Sequence, residues 1–271
     1  MDRQLTVVGC FAHPDDETWV MSGSLALLTA HGARCAVWTA TRGEAGVIAA
    51  ATGVPRERLG EVREAEERAA LAVVGVDQVE FGGLPDGGVD AADQDELVRA
   101  VHGFLERRQP DVVVAMEPAG ITAHPDHMAV TRATEAAFAA YVQAAEAGGR
   151  RPRLYYQGVP RSRLDRLRVS ALASELDLPD EDQPFAPRGT PDELFTCHVD
   201  VSSVVALRAA ALREHRTQME IEVYGLLSLP EEQIGMVLGV EDYIRVHPAP
   251  HPGEPEETSL VEAFLAEASG G

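Results

Sequence analysis

A regular alternation of short apolar runs with longer amphipathic segments constrains the fold more than any other feature of this sequence. The apolar runs are residues 5–12, 36–40, 79–81, 111–116 and 154–157, and the amphipathic segments are residues 18–31, 61–74, 93–107 and 126–145. Buried strands and helices of these lengths alternate in proteins that have a parallel sheet. The sequence therefore predicts an α/β fold, a Rossmann-like mostly parallel sheet with helices on both faces.

The remainder of the sequence is less regular. Residues 160–191 combine prolines with acidic residues, which predicts an irregular insertion that covers a functional site. A strand at residues 197–201, a helix at residues 204–218, a proline-rich tail at residues 248–255 and a last short helix are expected to follow. At 271 residues the chain fits a single domain, with a core at about residues 5–220 and a C-terminal extension at about residues 221–271.

The composition excludes several classes of partner. A formal net charge of −21 argues against nucleic acid and anionic membrane surfaces, because both require basic patches. No apolar run approaches the ~18 residues that would span a bilayer. The three cysteines, Cys10, Cys35 and Cys197, are widely spaced, which is typical of free buried thiols and predicts a cytoplasmic location. Assembly of copies into a homo-oligomer stays open.

Two of the predicted strands are each followed by a cluster of histidine and carboxylate residues. His13-Pro14-Asp15-Asp16-Glu17 follows the first strand, and His124-Pro125-Asp126-His127 follows the strand at residues 111–116. The carboxyl ends of parallel strands meet at one edge of a sheet, where open α/β sheets bind ligands. Histidine and carboxylate both bind zinc, and a catalytic zinc site leaves one coordination position open. The clusters therefore predict two halves of one metal centre.

The spacing within the clusters suggests which residues bind the metal and which take part in the reaction. His13 and Asp16 lie three residues apart on a tight loop, so both can reach one ion, while Asp15 remains beside the metal to take a proton from water. Of His124 and His127, one can complete the set of ligands and the other can stand over the reacting carbonyl. A single His-Pro-Asp sequence is usually only a turn, but two such clusters at strand ends favour a metal site.

Weaker signals lie between and after the clusters. Arg63 and Glu66 share one helix face, which is typical of a solvated ion pair, and Asp86 lies in a turn. An arginine and an aspartate near strand ends also suit the hydroxyl or phosphate groups of a sugar-like substrate. His215 and Gln218 are interpreted as the polar end of a helix. The ordinary structural roles and the binding roles both stay open at this point.

Taken together, these motifs resemble the LmbE-like, or PIG-L, family of zinc-dependent N-acetylglucosaminide deacetylases. The resemblance covers about residues 5–220, depends mainly on the two histidine clusters, and implies a single LmbE-like deacetylase domain over residues 1–271. Weaker supporting sequences occur in the order typical of the family: Thr41 to Gly46, Arg63 with Glu66 and Gly75, Leu84-Pro85-Asp86-Gly87, and His215-Arg216-Thr217-Gln218.

The resemblance implies a role for each residue of the two clusters. Zinc, with Fe²⁺ as an alternative in the cell, would be held by His13, Asp16 and His127. Asp15 would act as the general base and later as the acid. His124 would stabilise the oxyanion of the tetrahedral intermediate as an imidazolium.

The resemblance also concerns the substrate. Arg63 and Asp86 correspond to positions that bind substrate in the family. Relatives that act on inositol glucosaminides carry a tyrosine two residues before His124, where this chain has the shorter Thr122. Assistance to the oxyanion from that position is therefore not expected.

The implied reaction removes the N-acetyl group from a small 2-acetamido sugar conjugate of the GlcNAc type and releases acetate and a free amine. Two enzyme alternatives stay open, namely an amidase acting on a sugar-thiol conjugate and another metal-dependent hydrolase such as a phosphoesterase. A third alternative is a binding module in which the metal only stabilises the fold.

Overall fold

The computed structural model describes residues 4–173, 176, 179, 181–261 and 264. Its strands are β1 (Thr6–Phe11), β2 (Arg34–Thr39), β3 (Gln78–Phe81), β4 (Val112–Met116), β5 (Arg153–Gly158), β6 (Cys197–Asp200) and β7 (Val240–His247). Its α-helices are α1 (Asp16–Ala30), α2 (Leu59–Val73), α3 (Gln94–Arg108), the short α4 (Gly120–Ala123), α5 (Pro125–Ala147), α6 (Arg161–Ala173), α7 (Val205–Glu214) and α8 (Glu231–Leu238). The alternation of strands and helices predicted for the first 158 residues is confirmed.

In the described part of the chain the strands form one seven-stranded sheet in the order β3-β2-β1-β4-β5-β7-β6. The neighbours from β3 to β5 are parallel, and β7 runs antiparallel to both β5 and β6. The chain proceeds from β1 to β2 on one side and later places β4 on the other side of β1. The connections after β1 and β4 therefore diverge, which leaves a crevice at the carboxyl ends of these strands.

Apolar layers cover both faces of the sheet, as the apolar runs predict. Val7 and Phe11 of β1 belong to the layer that contains α1 and part of α2, whereas Val8 and Cys10 belong to the layer with α3 and α5. A strand covered on both faces has no polar side available, which explains its continuous apolar sequence. The helix α3 begins at the predicted cap, Asp93, whose side chain accepts hydrogen bonds from two backbone N–H groups.

The prediction of an irregular insertion at residues 160–191 is wrong for its first part, which forms α6. Leu164 and Ala171 of this helix are buried, and because they are about two turns apart they lie on the same face of the helix. Apart from Pro160, the prolines on which the prediction depended all follow α6 in the chain. The prolines therefore indicated the irregular second part and obscured the helix before it.

The helix α8 and the strand β7, both after residue 220, have no counterpart in the sequence prediction. The strand β7 contains the buried charged residues Glu241, Asp242 and Arg245, which hide the apolar signal of a strand. It joins the same sheet as the predicted core, while the division at about residue 220 stays a prediction. The predicted last short helix falls mainly outside the described residues. Among the described helices, none combines the length and the apolar character needed to cross a membrane.

Candidate active site

The connection after β1 and the start of α5 bring the two histidine clusters together at the crevice. The ring centroid of His13 lies 4.8 Å from that of His124 and 5.0 Å from that of His127. The rings of His124 and His127 are stacked, with centroids 5.0 Å apart. The structure thus brings together the two clusters that the sequence predicts to share one site.

Two carboxylates orient the imidazole of His13. Its Nε2 lies 3.1 Å from Oδ1 of Asp86 and 3.4 Å from Oδ2 of Asp126. Asp126 is itself held in place, since it accepts hydrogen bonds from the backbone N–H groups of Gly87 (2.8 Å) and Val89 (3.0 Å). Nε2 of His13 is therefore the donor nitrogen, and Nδ1 presents its lone pair to the site.

His127 is oriented in the opposite sense. Its Nδ1 lies 3.0 Å from the carbonyl oxygen of Gly120, which only accepts, so the lone pair of His127 is on Nε2. That nitrogen lies 3.1 Å from Nδ1 of His13 and 3.4 Å from Oδ1 of Asp16. The other oxygen of Asp16 lies 3.7 Å from Nδ1 of His13. Electron-rich atoms of three side chains thus converge, and a bound cation relieves their mutual repulsion.

Two sets of side chains place possible ligand atoms within 4.8 Å of one another: His13 with His124 and His127, and His13 with Asp86 and Asp126. In the second set, Asp86 and Asp126 accept the N–H of His13 and orient its ring. In the first set, Nδ1 of His124 accepts the backbone N–H of Asp126 at 3.2 Å, so in neutral His124 the Nε2 carries a proton. Asp16, whose oxygens face both His13 and His127, is therefore better placed than His124 to complete a metal site with them. The residues fit a divalent metal.

The charges around His13 favour a cation at this position. Burial would lower the pKa of His13, but hydrogen bonds to Asp126 and Asp86 and the charge of Asp16 raise it to about 10. Burial also opposes ionisation of Asp86, yet its hydrogen bond to His13 and the charge on His13 lower the pKa of Asp86 to about 2. The carboxylates consequently stabilise positive charge here, whether a proton or a metal ion supplies it.

His124 differs from the expected imidazolium. Burial, followed by the charges of His13 and His127, lowers the pKa of His124 to about 4, so the ring is neutral near pH 7. Its Nδ1 caps α5, and its Nε2 is left as a hydrogen-bond donor. The ring of Phe185 packs on it with centroids 4.5 Å apart. Phe185 lies in the segment that the sequence suggests as a cover of the site.

Asp15 lies between two donors. Its Oδ1 is 3.4 Å from Nη2 of Arg63, and its Oδ2 accepts a 3.0 Å hydrogen bond from the hydroxyl of Tyr224. Burial raises the pKa of Asp15 to about 6, against the lowering effect of Arg63. A carboxylate with such a pKa can both accept and return a proton near neutral pH. Nothing in the sequence around Tyr224 indicated this contact.

The interpretation of Arg63 and Glu66 as a solvated ion pair is wrong, because both side chains are buried. Arg63 donates to the carbonyl oxygen of Gly43 at 3.0 Å, and a Cβ atom on Gly43 would lie only 2.4 Å from Nη1 of Arg63. Glu66 accepts hydrogen bonds from the backbone N–H (2.9 Å) and the hydroxyl (2.6 Å) of Thr217. The supporting motifs that contain Gly43, Arg63 with Glu66, and Thr217 are therefore hydrogen-bonded to one another next to Asp15.

The remaining predicted residues lie close by. His215 is buried, with Nε2 3.1 Å from the hydroxyl of Thr18, and burial followed by the charge of Arg63 lowers its pKa to about 3. Gln218 is buried and donates to the carbonyl oxygen of Val47 at 3.0 Å. The hydroxyl of Thr122 lies 3.5 Å from Nδ1 of His127, on the side away from the proposed metal ligand atom.

Comparison with known proteins places these features in a family. The family model PIG-L, described as GlcNAc-PI de-N-acetylase, matches residues 8–138, which include both histidine clusters. A 1D-myo-inositol 2-acetamido-2-deoxy-alpha-D-glucopyranoside deacetylase of Mycobacterium sp. (strain KMS) is 33% identical over 280 residues, which cover 92% of this chain and 87% of that protein. The chain belongs to the PIG-L family. PIG-L proteins of this kind are deacetylases, hydrolases that act on amide bonds, as the sequence predicts.

Solved structures share the PIG-L fold of this chain. The conserved protein TT1542 from Thermus thermophilus is 25% identical and superposes with a TM-score of 0.58 over 93% of this chain and 99% of that one. The N,N'-diacetylchitobiose deacetylase from Pyrococcus horikoshii is 19% identical, with a TM-score of 0.59 over 90% of this chain and 86% of that one. These likenesses confirm the predicted fold class.

Proposed function

We propose that this chain removes the N-acetyl group from a small 2-acetamido sugar conjugate and releases acetate and a free amine. One observation carries the proposal: Nδ1 of His13, Nε2 of His127 and the carboxylate of Asp16 converge at the crevice. The histidine cluster also contains His124, and Asp15 adjoins the ligand Asp16 in the chain. This arrangement combines a metal site with a carboxylate and a donor, as amide hydrolysis requires.

The proposed metal is zinc, held by His13, Asp16 and His127. Nitrogen and carboxylate ligands suit zinc, and they also suit Fe²⁺ as an alternative. When bound, the metal would supply Lewis acidity that polarises the amide carbonyl and makes water more acidic. Asp86 and Asp126 would keep Nδ1 of His13 available, because they accept the proton of its other nitrogen.

Asp15 would take a proton from the attacking water as the carbon–oxygen bond forms. Its raised pKa, about 6, leaves it largely ionised at pH 7 and still basic enough for this task. The same proton would then pass from Asp15 to the sugar nitrogen while the carbon–nitrogen bond breaks. The amine therefore leaves as a neutral group, and the atoms and charges of the hydrolysis balance.

His124 would stabilise the developing oxyanion through its Nε2–H. A neutral imidazole donates a hydrogen bond to the oxyanion without giving up its proton. Because its pKa is lowered to about 4, His124 has no second proton to give to the amine near neutral pH. This supports Asp15 as the group that returns the proton, a choice that the sequence left open.

Arg63 and Asp86 are proposed to bind substrate, by resemblance to the family. The contacts of Arg63 with Asp15 and of Asp86 with His13 mean that each also supports the reacting groups. The curated relatives are named for an inositol conjugate of the acetamido sugar, which makes that conjugate the first substrate to test. We also propose a cytoplasmic location, supported by the burial of all three cysteines outside disulfide bonds.

The proposal is tested with a set of acetamido sugars that includes the inositol conjugate, free N-acetylglucosamine and N,N'-diacetylchitobiose. Amine and acetate should be released in equal amounts, and a chelator should abolish the activity until Zn²⁺ is restored. Release of phosphate from a sugar phosphate, or turnover that a chelator does not affect, would contradict the proposal. Metal content measured on the purified protein distinguishes zinc from iron.

A further inference from the structure

The backbone of Asp15 adopts a conformation that side-chain-bearing residues rarely take. Its φ is 110°, in the left-handed region that favours glycine. Such a conformation persists only where the surroundings hold it firmly, and it is commonest at functional sites. The contacts of Asp15 should therefore identify what keeps the proposed base in place.

Three side chains hold Asp15 from different directions. Glu17 accepts its backbone N–H at 3.2 Å, and Arg63 donates to the carbonyl oxygen of the preceding Pro14. The hydroxyl of Tyr224 donates to Oδ2, while Arg63 lies near Oδ1. Arg63 and Glu17 act on the backbone around Asp15, and Tyr224 makes the shortest contact with its carboxylate, at 3.0 Å.

Burial and packing hold the side chain of Tyr224 in this position. Its side chain is only 2% exposed, and its ring packs edge-on against Trp19, with centroids 5.0 Å apart. The backbone N–H of Trp19 donates to the carbonyl oxygen of Asp15 at 3.0 Å. Burial raises the pKa of Tyr224, so the hydroxyl keeps its proton and acts as a donor. Trp19, Tyr224 and Asp15 thus form a closed ring of contacts.

We propose that Tyr224 is a positioning residue for Asp15. Its hydrogen bond fixes the rotation of the Asp15 carboxylate, so that the same lone pair always faces the attacking water. The proposal rests on the proposed function, because it assumes that Asp15 is the base. It assigns a part in the reaction to the segment after residue 220, which lies outside the matched residues 8–138 of the family model. A fixed base affects the chemical step rather than the binding of substrate.

The test compares Tyr224→Phe with the matched control Tyr243→Phe. Tyr243 is also buried, and its hydroxyl lies 2.9 Å from both Ser24 Oγ and Glu241 Oε2, none of which belongs to the site. We expect Tyr224→Phe to lower kcat about 10-fold to 10²-fold with KM within about twofold and unchanged metal content. Tyr243→Phe should lower the urea midpoint and leave kcat unchanged. Wild-type kcat in Tyr224→Phe, or an equal loss in both variants, overturns the proposal.

A second measurement does not depend on activity. Urea unfolding of Tyr224→Phe, Asp15→Gly and the double variant forms a cycle, and glycine suits the positive φ at this position. If Tyr224 holds Asp15, Tyr224→Phe should shift the midpoint clearly less in the Asp15→Gly background than in the wild type. Additive shifts overturn the contact itself. If the wild type deacetylates no acetamido sugar, the proposed function fails, and the positioning role fails with it even where the cycle shows coupling.

Discussion

Two buried polar clusters of this protein have similar burial and opposite chemistry. At the candidate site, His13, Asp16 and His127 direct lone pairs at one another. In the second cluster, which we call the Glu241 network, Glu241 accepts the backbone N–H groups of Gly23 and Ser24, both at 2.8 Å. Arg208 and Tyr243 complete that network, with the guanidinium Nε of Arg208 3.4 Å from the carboxylate of Glu241.

The difference shows how to distinguish a functional cluster from a structural one. In the Glu241 network backbone N–H groups, the Tyr243 hydroxyl and the Arg208 guanidinium all face the carboxylate, so its charge is balanced without any ligand. At the site Nδ1 of His13, Nε2 of His127 and Oδ1 of Asp16 face one another, so the arrangement is stabilised by positive charge, which a bound cation supplies. Burial alone does not separate the two clusters. Replacing residues in the site should therefore affect activity, and replacing residues in the Glu241 network should affect stability.

The largest expected effect on the site comes from Asp15→Asn. An amide of the same shape cannot take a proton from water, so kcat/KM should fall about 10²-fold to 10⁴-fold, with the metal retained. The exposed Asp77, directly before β3 at the opposite edge of the sheet, provides the control Asp77→Asn, which should keep full activity. Steady-state kinetics and metal analysis check both variants. Unchanged turnover in Asp15→Asn would remove Asp15 from the mechanism.

In the Glu241 network, Glu241→Gln should instead lower the free energy of unfolding by about 3 kcal/mol. The substitution leaves the buried Arg208 without its counter-charge, and breaking one partner of a buried ion pair has a large effect on stability. Below the unfolding transition, kcat should stay at the wild-type value. Urea titration combined with kinetics measures both quantities, and a loss of kcat without a loss of stability would reverse the comparison.

Metal binding is expected to have a slightly smaller effect on stability, and it tests the same comparison of the two clusters. At a zinc concentration ~100 times its Kd, the free energy of unfolding should rise by about 2.7 kcal/mol relative to the chelated protein. This increment should disappear in His127→Ala and persist in Glu241→Gln, because only the first variant lacks a proposed ligand. Thermal unfolding with and without chelator measures it. An increment that survives in His127→Ala would place the metal elsewhere.

A smaller effect is expected at the rim of the site. Phe185 covers His124 while its ring stays about half exposed, so Phe185→Ala should weaken substrate binding more than it slows the chemistry. The loss of one aromatic contact corresponds to about 0.5–1.5 kcal/mol, or a two- to twelvefold rise in KM. Leu194, which is exposed after the same segment, offers the control Leu194→Ala. Equal KM values in both variants would show that Phe185 is not part of the substrate site.

The smallest effect concerns buried groups that we assign to neither cluster. Burial raises the pKa of the Cys10 and Cys35 thiols to about 12, so in the folded protein both remain protonated and slow to react at pH 8. Since their folded pKa lies above the ordinary value of about 8.5, their contribution to stability is present below pH 8.5 and is lost as the pH rises towards 12. Thiol titration of native and denatured protein checks the first point. Rapid native labelling of both thiols would contradict it.

The sequence predicted the parts of the fold that depend on local periodicity. Residues 5–158 alternate between strands and helices as expected, because apolar spacing along a helix or strand is a local property. The irregular interpretation of residues 160–191 concealed α6, and the charged residues of β7 concealed a strand. In β7 the buried charges have partners from distant segments, such as Glu241 with the backbone of α1, and no local pattern reports such pairing.

In the candidate site, too, some features could be predicted from the sequence and others required the structure. Both histidine clusters could be located from the sequence because each follows an apolar strand, and parallel strands must end at one edge of the sheet. The interpretation of Arg63 with Glu66 as a solvated pair was wrong because helix spacing does not reveal which face is buried by other elements. The protonation of His124 also required the structure, since it depends on the hydrogen bond from the Asp126 backbone and on nearby charges.

By itself, the sequence determined the class of the sheet, the edge that carries the site and the chemical types of the proposed ligands, because all three follow from short stretches of chain. Only the tertiary structure decided which nitrogen of each histidine faces the proposed metal position, since that depends on acceptors such as the Gly120 carbonyl and the Asp86 carboxylate. It also decided how Asp15 is held. Its partner Tyr224 lies 209 positions away, and a contact over that distance arises from packing of the whole domain.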